Sequence, residues 1–250
     1  MVTILILILS NASFLHALDK SKVYKFAVDI DYPPFSYINE KTGEMEGFDV
    51  DISKAVCKTI GIQCEVLGVT FDEIIPLIVS GDLDVGAAGF AYTAERAELI
   101  IFTEKYYRSN SIFVQTDQDF LEITPAAING LTVAVQRGTI QEGYLRATFK
   151  DSIIILLCNN LLEAMEAVSS KRADLAFADG IATYTYLRSD AGKHLDIAGD
   201  PIAIGDDDGL MVLNKKSREL CDSINNAIKL LRSTGEYDLI NLKYFDYNIY

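Results

Sequence analysis

One strand–helix order occurs twice along this chain, and few folds accommodate that. In the first half, residues 25–28 (KFAV) read as a strand and 49–60 as a helix with Ile52, Val56 and Ile60 on one face. A strand at 65–69, a helix at 71–80 and a strand at 85–88 follow. The order restarts with a strand at 131–135 (LTVAV), a helix at 140–148, a strand at 152–157, a helix at 161–170 and a strand at 175–178. Short apolar runs alternating with helix-period segments signal α/β units. The copies also align residue by residue. SGDLDVGAAG (80–89) lies over SKRADLAFAD (170–179), which sets Asp84 over Asp174 and Gly89 over Asp179.

The duplication predicts two α/β lobes, each a mostly parallel sheet flanked by helices. In such sheets ligands bind beyond the carboxyl ends of the strands. Those ends are residues 29–32 and 89–93 in the first lobe, and 136–139 with Asp179 in the second. A ligand touching all four lies between the lobes, which implies hinge closure. Residues 112–115 (IFVQ) form one crossing strand, and an apolar stretch at 201–204 forms a second ahead of GDDDG (205–209). The helix at 218–231 and the aromatic tail have no counterpart in the second copy and are expected to return to the first lobe. The resulting organisation is 18–112 plus 206–250 for lobe 1 and 113–205 for lobe 2, joined by a two-strand hinge.

Residues 2–9 (VTILILIL) are too short for a membrane span, which needs about 20 apolar residues, and fit the apolar core of a signal peptide over 1–17. Cleavage after Ala17 suits the start of the folded region, with Ala12 the other site. An exported protein of the periplasm is the expectation. The chain carries 36 acidic against 22 basic residues, a net charge of −14. That surface repels nucleic-acid phosphates and anionic membranes.

Four cysteines stand at 57, 64, 158 and 221. Cys57 and Cys64 fall near a helix end and the next strand, so an oxidising compartment allows a local disulfide. Cys158 and Cys221 read as buried thiols, with a second bridge left open. With histidine only at 16 and 194, no zinc-ligand spacing, catalytic triad or phosphate loop is present, so neither metal nor cofactor is expected.

The residues with binding chemistry sit at the strand ends. TAER (93–96) opens a helix, where Thr93 can cap and free backbone N–H groups attract an anion. Arg96 in that first turn can clamp a carboxylate, or pair with Glu95 or Glu98 on the surface. TIQE (139–142) has the capping-box pattern and opens the second lobe's first helix. Asp179 can welcome an ammonium group or merely cap the next helix. Tyr32 and Phe71 can flank a ligand side chain or serve the core.

DIDYPPFSY (29–37), GFDVDISKAVC (47–57), FDEIIPLIVSGDLD (71–84), YTAERAELIIFTEKYY (92–107), GTIQEGY (138–144) and KYFDYNIY (243–250) together resemble the bacterial periplasmic amino-acid-binding proteins of polar amino-acid uptake, in the branch that binds histidine or lysine, arginine and ornithine. The resemblance runs from about residue 25 to 250. It implies a two-lobed periplasmic-binding-protein fold, a monomer, and delivery of a free amino acid to a membrane ABC permease. Arginine, lysine, ornithine or histidine are the expected ligands ahead of glutamine and glutamate. Carried over by position, Arg96 resembles the residue that grips the α-carboxylate and Asp179 the one that holds the α-ammonium. Tyr32 and Phe71 resemble the aromatic pair around the side chain, and Asp29 the acid that reads its polar end. Thr139 and Ile140 stand where backbone N–H groups reach the carboxylate. Cys57 and Cys64 match a disulfide of this branch.

Two departures bear on the ligand. Where the branch tends to have serines, this chain has Ala88, Gly89, Phe90 and Ala91, so Gly89 and Ala91 are left to contribute backbone groups. Arg137 replaces a residue that is often neutral. Inside the cleft it would favour an acidic side chain, whereas Glu142 and the acidic surface could hold it outside. Two other functions use related folds: a dehydratase acting on prephenate-like compounds, which would need a general acid, and a sensory module joined to a membrane span.

Overall fold

The computed structural model describes residues 18–116, 122–206 and 208–250. The expected signal peptide lies outside them. The chain opens with β1 (Val23–Asp29), a short ribbon of β2 (Tyr37–Ile38) and β3 (Met45–Glu46), then α1 (Phe48–Ile60), β4 (Gln63–Val69), α2 (Phe71–Ser80), β5 (Val85–Phe90), α3 (Ala94–Ala97) and β6 (Ile100–Arg108). It continues through β7 (Ser111–Gln115), β8 (Thr132–Gln136), α4 (Ile140–Thr148), β9 (Ile154–Cys158), α5 (Leu161–Ser169), β10 (Leu175–Asp179), α6 (Gly180–Leu187) and β11 (Asp196–Ile202). It then returns as β12 (Asp208–Asn214), α7 (Arg218–Thr234) and α8 (Glu236–Tyr244).

These strands build two five-stranded sheets, ordered β4-β1-β5-β12-β6 and β11-β7-β10-β8-β9. The parallel pairs β1–β4, β1–β5, β8–β9 and β8–β10 come from the duplicated units. The antiparallel half of each sheet comes from the strands that carry the chain across: β12 against β5 and β6, and β7 against β10 and β11. The second sheet takes up the chain at Ser111, two residues before the boundary read from the sequence, because β7 pairs in register from Ser111 onward with β10.

The duplicate aspartates do the same work in both lobes. Asp84 accepts from Lys25 N through its side chain, while its own N–H donates to Lys25 O. Asp174 does the same with Thr132. Each carboxylate thereby locks the start of one parallel strand to its neighbour. Gly61, in the left-handed conformation, ends α1, and the Cys57–Cys64 disulfide ties that end to β4. Cys158 and Cys221 are free, buried, and lie in different sheets' lobes, on β9 and α7. α7 buries Leu220, Ile224, Ala227, Ile228 and Leu231, a stripe of helical period, against α1 and β6 of the first lobe. Among the described residues no helix is long and apolar enough to cross a membrane.

Candidate functional site

The carboxyl ends of β1, β5, β8 and β10 meet around one cavity between the sheets. It is bordered by Asp29, Tyr32, Phe71, Gly89, Ala91, Arg96, Thr139, Ile140 and Asp179, nine of the ten binding residues expected from the sequence.

Arg96 turns inward rather than toward Glu95 or Glu98. Thr93 caps α3 by accepting from Arg96 N at 3.1 Å. The guanidinium donates to Ala91 O and, across the cleft, to Gly138 O, each at 2.8 Å. It also lies over the rings of Phe71 and Phe90, which stack on each other at 4.6 Å. A guanidinium has five N–H donors, so donors remain for a ligand carboxylate. Burial lowers its pKa to about 10, with Glu95 opposing the shift. Arg96 therefore remains a cation at neutral pH.

α4 begins on the opposite side of the cavity. Thr139 accepts from Glu142 N, and Glu142 reaches back to Gly138 N at 2.8 Å. The capping box thus closes one residue earlier than the usual pattern, in which the acid meets the cap's own N–H. The first N–H groups of a helix have no intrahelical acceptor, and those of α4 open beside Thr139 and Ile140 at the cavity wall.

Asp179 caps α6 by accepting from Ala182 N at 3.0 Å, and the Tyr32 hydroxyl donates to the same carboxylate. Both readings of Asp179 hold together: it caps a helix and borders the cavity. Burial raises its pKa, against the hydrogen bonds from Ser109, Ala182 and Tyr32. Asp29 is buried, and its Oδ2 accepts from Gln136 Nε2 at 2.7 Å. Its Oδ1 has no hydrogen-bond partner among the described residues. Burial pushes the Asp29 pKa up to about 7, with the Gln136 hydrogen bond opposing.

Gly89 shows why the usual serine is missing. Its φ is +58° and a Cβ would overlap the Tyr107 hydroxyl. Its N–H donates to Tyr106 Oη, which donates on to the fully buried Asp49 at 2.8 Å. Burial holds Asp49 well above the usual carboxylate range, despite that hydrogen bond.

Arg137 is the expected residue that the cavity does not include. Its side chain is half exposed at the rim, with Nε 3.6 Å from Asp72 Oδ2 on α2. Glu142, the expected partner, is already committed to Gly138 N and Arg146. Asp72 captures Arg137 because Gly138, in the left-handed conformation, brings that turn against α2. The cavity also includes Gln136, which the sequence placed at a ligand-facing strand end without a task, and Tyr107, Gln141 and the crossing residues Ser109, Asn110 and Ser111, which it did not mark. The crossing was the available signal, since a hinge between two lobes must border the cleft it closes.

A family model described as bacterial extracellular solute-binding proteins, family 3, matches residues 24–247. The chain belongs to that family. This solute-binding protein is 30% identical to the L-arginine-binding protein of Pseudomonas aeruginosa, over 92% of this chain and 90% of that one. It is 30% identical to the histidine-binding periplasmic protein of Salmonella typhimurium over 98% and 96%. Among solved structures, an ancestral arginine-binding protein bound to arginine superposes with a TM-score of 0.82 at 28% identity, covering 89% of this chain and 98% of that one. A periplasmic family-binding protein from Silicibacter pomeroyi in complex with lysine gives 0.80 at 30% identity, over 91% and 100%. The fold is the two-lobed periplasmic-binding-protein fold. Family membership makes the solute-binding protein a binding protein rather than an enzyme on the same scaffold.

Proposed function

We propose that the protein captures a free α-amino acid with a cationic side chain between its lobes, in the periplasm and as a monomer, and hands it to a membrane ABC permease. The charge inside the cavity carries this reading. Asp29, Asp179 and Arg96 all border it. With both carboxylates ionised, the state that a bound cation favours, they sum to −1, two negative charges against one positive. A zwitterionic backbone leaves that sum unchanged. Arginine, lysine, ornithine or protonated histidine brings it to zero, whereas glutamate takes it to −2. A buried charge without a partner is costly, so the cavity favours the cation.

Each expected residue then has one task. Arg96 and the first N–H groups of α4 take the α-carboxylate, and Asp179 takes the α-ammonium. The rings of Tyr32 and Phe71 flank the side-chain stem, and Asp29 Oδ1 receives its end. Arg137 is spent on Asp72, so it gives no support to an acidic ligand. The relatives' names agree, being arginine-, histidine- and lysine/arginine/ornithine-binding proteins. An ancestral arginine-binding protein solved bound to glutamine marks the neutral amide as the nearest competitor.

Mass spectrometry of the small molecule that co-purifies with native protein tests the class. A basic amino acid is expected, and a compound lacking an α-amino-acid group contradicts the reading. Arg96→Ala is expected to weaken binding more than a hundredfold, because removing one partner of a buried charged pair costs about 3–5 kcal/mol. A calorimetric titration within tenfold of wild type would reject the assignment of Arg96.

A further inference from the structure

Resting on that reading, the side-chain end of the ligand meets Asp29, and a second residue stands there. Gln136 ends β8 on the second lobe with its side chain buried. Its Nε2 donates across the cleft to Asp29 Oδ2 at 2.7 Å and stands 3.5 Å from Asn159 O. Asp29 Oδ1 is left without a partner, and no hydrogen bond to Gln136 Oε1 is found among the described residues. Both residues border the cavity.

We propose that Gln136 is a specificity-determining residue: it masks one oxygen of Asp29, adds its own amide oxygen beside the other, and so presents the ligand with two acceptors from two different lobes. A carboxylate with both oxygens free takes a guanidinium as a fork of two parallel N–H···O bonds. Asp29 masked by Gln136 does not offer that fork. An ammonium needs none, because its three donors surround a point charge and reach one oxygen on each residue. Gln136 therefore narrows the advantage of arginine over lysine and ornithine. Since Asp29 belongs to one lobe and Gln136 to the other, the acceptor pair exists only in the closed cleft, and selection of the side-chain end coincides with closure.

The surroundings of Asp29 are acidic. Asp31 on its own loop and Asp72 on α2 act on it electrostatically, while Gln136 donates to it. A cationic end relieves that crowding, and the hydrogen bond from Gln136 keeps Oδ2 occupied while it does so.

The test is calorimetry of arginine, lysine and ornithine with wild type, Gln136→Met and Gln136→Glu. Methionine keeps the length and removes both polar atoms. The arginine-to-lysine affinity ratio is expected to rise at least fivefold in Gln136→Met, because Asp29 Oδ2 is released to complete the fork. Gln136→Glu, sharing one proton with Asp29, restores the masking oxygen and is expected to return the ratio to within twofold of wild type. If Gln136→Met does not fold, Gln136→Ala must move the ratio in the same direction. A ratio unchanged within twofold in the apolar variant, or raised equally in Gln136→Glu, overturns the proposal while wild-type binding stands. Failure of wild type to bind any of the three sinks the parent reading and this one together.

Discussion

Asp29 is a buried carboxylate whose proton is shared between two outcomes, stability and binding. Its folded-state pKa of about 7 exceeds the roughly 3.9 of an unfolded aspartate. The native state therefore holds a proton that the unfolded chain has lost between those values. The stability contributed by that proton is complete below about pH 4 and is lost as pH rises toward 7. Asp29→Asn removes this loss. Ligand-free Asp29→Asn is expected to gain stability over wild type between pH 4 and pH 8, by up to about 4 kcal/mol for three pKa units, while losing affinity for cationic amino acids. Urea unfolding at the two pH values checks it, and an equal difference at both contradicts it. At this scale the sequence revealed the residues at strand ends and helix starts: Asp29, Arg96, Thr139 and Asp179. It placed Gln136 at a ligand-facing strand end but did not reveal its bond to Asp29, because that partner lies 107 positions away. It could not decide Arg137, because the competing acid, Asp72, lies on the other lobe.

The helices of the duplicated units, α7 and the parallel strands were legible because each carries one hydrophobic period, and the Asp84/Asp174 alignment already contained the strand-starting contacts; α8 was legible only as part of the aromatic tail, because it has no apolar stripe. β6 and β12 were not. β6 mixes charged and apolar residues with irregular burial, and β12 pairs with register shifts against both neighbours, so neither shows clean alternation. The α1–β4 disulfide spans seven positions. A loop that short restrains the unfolded chain modestly, by about 2–3 kcal/mol in the chain-entropy account. Replacing Cys57 and Cys64 together by serine is expected to cost that much in denaturant unfolding and to leave amino-acid affinity within about threefold, since the bridge closes the far end of α1 from the cavity. A hundredfold loss of affinity would show that the bridge shapes the site.

For the whole molecule, the two lobes already touch through Arg96 to Gly138, Gln136 to Asp29, Asn160 to Asp31 and Arg137 to Asp72. Two of these contacts surround the ligand cavity and two lie at its rim. The rim pair Arg137–Asp72 is partly exposed, and such pairs contribute about 1 kcal/mol or less. Arg137→Ala is therefore expected to weaken every ligand by up to about fivefold, less at high salt, without reordering them. A reversal that favours or disfavours glutamate alone would place Arg137 in the recognition of the side chain. Two lobes and a cleft followed from the duplication, but the closed arrangement did not, because it depends on side-chain contacts between residues as far as 129 positions apart, on elements of different lobes. The most direct test of the central claim is the affinity of arginine, lysine, histidine, glutamine and glutamate measured side by side on ligand-free protein. Cationic amino acids are predicted to bind tightest. Glutamate binding at least tenfold tighter than both arginine and lysine would contradict the account.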